Sequence, residues 1–136
     1  EQLAQLKALE LEAVKAAEAN DHPRAIERLS EAIALCPEYA SAYNNRAQVY
    51  RLMGESDRAF EDLELAIKHA GGNKAVLRQA YTQRGIIQKA RGNTDAAFRD
   101  FEQGGRLGSD IAKEAAVREN PYAKMCNAIV MEAMNK

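Results

Sequence analysis

Apolar and small residues recur along this chain at the spacing of one helix face, and the whole pattern then recurs. Ala25, Leu29 and Ala32 stand at i, i+4 and i+7. They reappear 34 residues on as Ala59, Leu63 and Ala66, and 38 further on as Ala97, Phe101 and Gly104. The stretches before them keep the same register: Leu9 aligns with Tyr43 and Tyr81, Ala13 with Ala47 and Gly85, and Asn20 with Gly54 and Gly92 at polar breaks. A 3.6-residue apolar period predicts amphipathic helices. Self-similarity at a period of this length predicts stacked supersecondary units. Three helix–turn–helix units are expected, with helices over 2–19 and 23–35, 38–53 and 56–69, and 74–91 and 94–105. The repeats fall at 6–39, 40–73 and 78–108, with four extra residues at 74–77 and capping helices over 109–136, all in one domain.

Local signals mark the helix ends. Asp21, Ser56 and Thr94 stand where N-caps belong, because a short polar side chain there accepts from an otherwise unpaired backbone N–H. Pro23 fits a first helical turn, where its missing donor costs nothing. Gly54 and Gly92 suit the left-handed residue that closes a helix. At each predicted crossing a small residue meets a small residue: Ala13 with Ala25, Ala47 with Ala59, Gly85 with Ala97. Small side chains let two helices approach closely. No single hairpin buries its apolar face alone, so stability is expected to come from stacking.

After Gly108 the pattern changes. Ser109 or Asp110 is expected to cap a short helix to about Arg118, and Asn120-Pro121 to start another. In that last stretch Tyr122, Met125, Cys126, Ile129 and Val130 follow at i, i+3, i+4, i+7 and i+8, one apolar face. Three uses compete for it: packing on the third repeat, a seam with a second copy, or a plug in the groove of the array.

Composition narrows the class. The chain has 136 residues, 46% of them hydrophobic and 29% charged, in the range of a globular domain. Twenty-six are Ala and only 14 are Val, Ile or Thr, which favours helix over sheet. The net charge of −1 argues against nucleic-acid binding through bulk charge. It is uneven: residues 1–73 hold 8 Lys and Arg against 13 Asp and Glu. No apolar run of about 20 residues and no charged-then-apolar leader occurs, so neither a membrane span nor a secretory signal is expected. Cys36 and Cys126, with no Cys-x-x-Cys pair, fit a reducing cytoplasm better than a disulfide scaffold.

No chemistry-bearing constellation stands out. His22 and His69 fall at predicted helix ends and form no metal-ligand pair, and Gly71-Gly72 and Gly104-Gly105 lack the Lys-Ser/Thr of a phosphate loop. No enzyme activity, metal or cofactor is expected. Binding remains. First helices of stacked hairpins line a concave surface, and its inward positions are Lys7, Glu10 and Val14, then Asn44, Asn45, Gln48 and Arg51, then Gln79, Gln83, Ile86 and Lys89. Amides that donate and accept suit a peptide backbone, and Arg51 and Lys89 suit a carboxylate.

A 34-residue helix–turn–helix unit with small residues at its crossing resembles the tetratricopeptide repeat (TPR) family. SAYNNRAQ (41–48), RLMG (51–54), DRAFEDLELAI (57–67), QRG (83–85), DFEQGGRLGS (100–109) and NPYAKMCN (120–127) resemble a small three-repeat branch of it, described as binding heat-shock protein 70. The resemblance implies an all-α right-handed superhelical solenoid, three repeats plus two C-terminal helices, acting as a chaperone-associated protein–protein adaptor in the cytoplasm. A monomer binding a protein or peptide is expected. A structural protein that self-associates through the last helix is the alternative. Many members hold the C-terminal carboxylate of a heat-shock chaperone in a clamp of Lys, Asn, Asn, Lys and Arg. Those positions fall here at Glu10, Val14, Asn45, Gln79 and Gln83, and only Asn45 keeps the clamp residue. A glutamate in place of a clamp lysine repels a carboxylate, so the standard clamp is not expected.

Overall fold

The computed structural model describes residues 1–120, and these form seven α-helices with no strand among the described residues. They are α1 (Gln2–Glu18), α2 (His22–Leu35), α3 (Ala40–Leu52), α4 (Ser56–His69), α5 (Lys74–Ala90), α6 (Thr94–Arg106) and α7 (Asp110–Glu119). The chain divides into two compact units, Glu1–Ala80 and one beginning at Tyr81. The apolar stripe of Tyr122, Met125, Cys126, Ile129 and Val130 lies outside the described residues.

The helices stop where the backbone can turn. Asn20, Gly54 and Gly92 have φ of 61°, 79° and 81°, the left-handed conformation that glycine and asparagine enter most readily. Asp21 caps α2 by accepting from the Arg24 backbone N–H, and Ser109 caps α7 by accepting from that of Ala112 at 3.0 Å. Two cap assignments shift by one residue. Ser56 and Thr94 are the first helical residues, and Glu55 and Asn93 hold the N-cap positions without a side-chain bond. The Glu55 and Asn93 carbonyls accept the first intrahelical bonds, from Ala59 and Ala97, which places the cap one residue earlier.

In the first unit, Leu6, Ala13 and Ala16 of α1 pack with Ala25, Leu29 and Ala32 of α2 and with Ala42 and Val49 of α3. Ala47, Ala59, Leu63 and Ala66 are also buried. Each buried leucine contributes about 1.5–3 kcal/mol relative to exposure. In the second unit Ala97 and Phe101 of α6 pack with Ala112 and Ala115 of α7. Gly85 of α5 meets the Phe101 ring so closely that a Cβ there would stand 2.6 Å from two ring carbons.

One polar device accompanies each hairpin, at a constant offset of sixteen residues. Arg46 of α3 donates to both carboxylate oxygens of Asp62 of α4, at 2.7 and 2.8 Å. Arg84 of α5 does the same to Asp100 of α6, at 3.0 and 2.8 Å. Both aspartates are buried. In the first hairpin the polarity is reversed: Glu12 of α1 pairs with Arg28 of α2 at 3.3 Å. That pair is more exposed and stabilises little.

Candidate functional site

The first helices of the first unit meet through a cluster centred on Glu10. Its Oε2 accepts from the Ser41 hydroxyl at 2.6 Å and from the Asn45 amide at 2.8 Å. Its Oε1 accepts from the Tyr39 hydroxyl. One helix pair on, the Asn44 amide donates to the Gln79 carbonyl at 2.6 Å. Glu10 to Asn45 and Asn44 to Gln79 are both steps of 35 residues, so these residues, predicted to face a ligand, also join successive repeats.

Burial, and then the hydrogen bond to Glu10, hold the Tyr39 pKa well above its ordinary value, about 10 for tyrosine. A raised native pKa means the folded state holds the phenol proton more tightly than the unfolded chain does. The resulting stability is fully present below about pH 10 and is lost as pH rises through the native pKa. In Tyr39→Phe the denaturation midpoint should therefore fall less between pH 9 and 11 than in the parent, read by urea melts at each pH.

Beside this cluster an apolar cleft of about 290 Å³ opens between α1 and α3, with Leu29 of α2 at its floor and room for one or two aliphatic side chains. Ala13, Val14, Ala17, Val49 and Leu52 form its walls, and Asn45, Gln48 and Glu18 supply its polar atoms. Val14 and Leu52 remain 43% and 63% exposed. The sequence suggested a polar, amide-rich surface, whereas this part of it is mainly aliphatic. Ala17, Glu18 and Leu52 were not singled out from the sequence. Helical spacing could have found them, since 14, 17 and 18 share a face, as do 45, 48 and 52.

The other predicted contact residues have different surroundings. Asn44 is buried at 3% exposure. Gln79 is exposed and Gln83 buried. Arg51 of α3 is partly buried and its Nε has no hydrogen-bond partner. In the second unit Ile86 is exposed, and Lys89 pairs with the buried Glu119 of α7 at 2.9 Å. At the other end of α7, Thr82 of α5 donates to the Ser109 hydroxyl at 3.1 Å. Among the described residues no cluster of His, Cys, Asp or Glu could hold a metal ion, and no helix is long and apolar enough to cross a membrane.

Paired helices of this length, closed at each crossing by small residues, define a tetratricopeptide-repeat protein. A family model described as TPR repeat matches residues 17–54, and one described as Tetratricopeptide repeat matches residues 38–104. Tetratricopeptide repeat protein 36 of Homo sapiens is 50% identical over 99% of this chain and 71% of its own length. Its counterpart in Caenorhabditis briggsae is 52% identical over 94% of this chain and 72% of its own. The chain belongs to the tetratricopeptide repeat protein 36 family.

Solved structures share the fold. The Arabidopsis OM64 TPR domain has a TM-score of 0.77 at 22% identity, covering 90% of this chain and 99% of that one. The second TPR domain of human RPAP3, in complex with the HSP70 peptide SGPTIEEVD, has a TM-score of 0.74 at 23% identity, covering 88% and 98%.

Proposed function

We propose that this chain is a non-enzymatic adaptor that associates with heat-shock protein 70 and engages it through the α1–α3 cleft, without clamping a terminal carboxylate. The observation that carries the reading is the state of Asn45, the one clamp residue kept, and of Lys89, one of the two cations that suit a carboxylate. Asn45 is bonded to Glu10 and Lys89 to Glu119, so the chain's own carboxylates occupy them. The chaperone as partner is supported by what the resemblance to the three-repeat branch implies and by the HSP70 peptide on the RPAP3 domain of the same fold. Docking in the cleft is supported by the exposed side chains of Val14 and Leu52 beside Asn45 and Gln48. There an incoming side chain loses water and its backbone finds donors and acceptors.

The test is a calorimetric titration of the full chain with full-length heat-shock protein 70 and with a form lacking its last ten or so residues. Both should bind with affinities within about threefold. Val14→Asp and Leu52→Asp should each weaken binding about tenfold or more, since each places a charge where an aliphatic group docks, with helicity by circular dichroism unchanged. Binding that requires the chaperone tail would overturn the clamp-free reading, and binding of neither form would remove this chaperone as the partner.

A further inference from the structure

We infer that the α1–α3 cleft selects an internal segment in which an aliphatic residue is flanked by lysine or arginine. This rests on the reading that the cleft is a docking site, and adds the chemistry of what enters it. Glu18 is the one charged side chain among the lining residues. It is exposed, and among the described residues neither an ion pair nor a hydrogen bond engages it. Glu10, Val14 and Glu18 stand at i, i+4 and i+8, on one line along α1, so carboxylates flank Val14 one turn away on either side. Glu10 accepts from Tyr39, Ser41 and Asn45.

The backbone adds to the same sign. Glu18 and Leu52 are the last residues of α1 and α3, so two helix C-termini, each carrying partial negative charge, lie at the cleft end that these residues line. A glutamate in a last turn is locally unfavourable to its own helix. Among the described residues Glu18 has no partner to offset that. A cation from outside would be attracted by the carboxylate and by both helix ends, while its neighbour's aliphatic side chain fills the space between Val14 and Leu52. The nearby cations, Lys15 of α1 and Arg51 of α3, do not line the cleft. A terminal or side-chain carboxylate would meet repulsion from Glu18, the charged group of the lining.

The experiment pans a random library of N-acetylated, C-amidated dodecapeptides against this 136-residue chain, its Glu18→Lys variant and its Leu52→Asp variant. The parent should enrich Leu, Ile or Met with Lys or Arg within three residues. An enriched peptide should lose about five- to tenfold in affinity when that cation is changed to Glu, and the difference should shrink as salt rises from about 50 to 300 mM. Glu18→Lys, which suits its helix end, should reverse the preference toward Asp and Glu. Enrichment lost in Leu52→Asp but indifferent to Glu18→Lys would overturn the charge selection and leave the docking site standing. Enrichment unchanged in Leu52→Asp, or no enrichment at all, would overturn both.

Discussion

Replacing Arg46 by alanine is expected to lower the unfolding free energy by about 3–5 kcal/mol, a large part of the roughly 5–15 kcal/mol typical of a domain. Arg46 answers both oxygens of Asp62, and its remaining nitrogen donates to the Ser30 hydroxyl of α2 at 3.1 Å. One guanidinium therefore ties together α2, α3 and α4. Its loss leaves the Asp62 carboxylate, 3% exposed, without its counter-charge, and that uncompensated burial is the main cost. Replacing both partners with apolar residues of similar size, Arg46→Met with Asp62→Leu, should recover most of the stability, because nothing charged then remains buried. Urea melts of the two single variants and the double variant decide the matter. A double variant as unstable as Arg46→Ala would show that the arginine acts through packing or its Ser30 bond instead.

Gly85→Ala, a substitution that is harmless in most helices, should here destabilise by about 1–3 kcal/mol. Helix propensity alone would favour alanine by about 1 kcal/mol. The added methyl would stand 2.6 Å from Cδ1 and Cε1 of the Phe101 ring, so either the ring or the helix must move. The rescue is specified by the other repeats. Ala13 and Ala47 occupy the register position of Gly85, and Leu29 and Leu63 that of Phe101. Gly85→Ala combined with Phe101→Leu should regain most of the loss, giving a favourable coupling of at least about 1 kcal/mol in a double-mutant cycle. Additive effects of the two changes would mean that the ring and the glycine are not packed as described.

The helices were legible in the sequence because their cause is local. Ala25, Leu29 and Ala32 with their repeats mark each core face, and Asn20, Gly54 and Gly92 mark the breaks, so the observed ends lie within two residues of expectation. Caps at Ser56 and Thr94 were misplaced by one because the side chain suits the role but the carbonyl that starts the ladder belongs to the residue before. The candidate site was legible only in outline. Helical spacing puts Asn45 and Gln48 on one face. It cannot show that Tyr39 and Ser41, 29 and 31 residues from Glu10, converge on its carboxylate, nor that Lys89 is answered by Glu119. Those pairings depend on how successive helices are placed, which no local pattern encodes. The arginine–aspartate pairs were readable in principle, since the offset of sixteen is a property of the repeat. Attention to apolar positions alone passes over it.

The reversed ion pair of the first hairpin bears on how the chain avoids assembling wrongly. Hairpins of one shape in one chain invite exchange, a helix of one unit closing on the second helix of another. If α1 closed on α4, Glu12 would face Asp62, and if α3 closed on α2, Arg46 would face Arg28. Both swaps set like charges together. The second and third hairpins share one polarity and are told apart by shape instead: α3 on α6 would drive Ala47 into the phenylalanine ring, and α5 on α4 would leave a void between Gly85 and Leu63. Each hairpin thus carries a key that fits its own lock, and the departures from perfect repetition are what allow a repetitive chain to find a single arrangement.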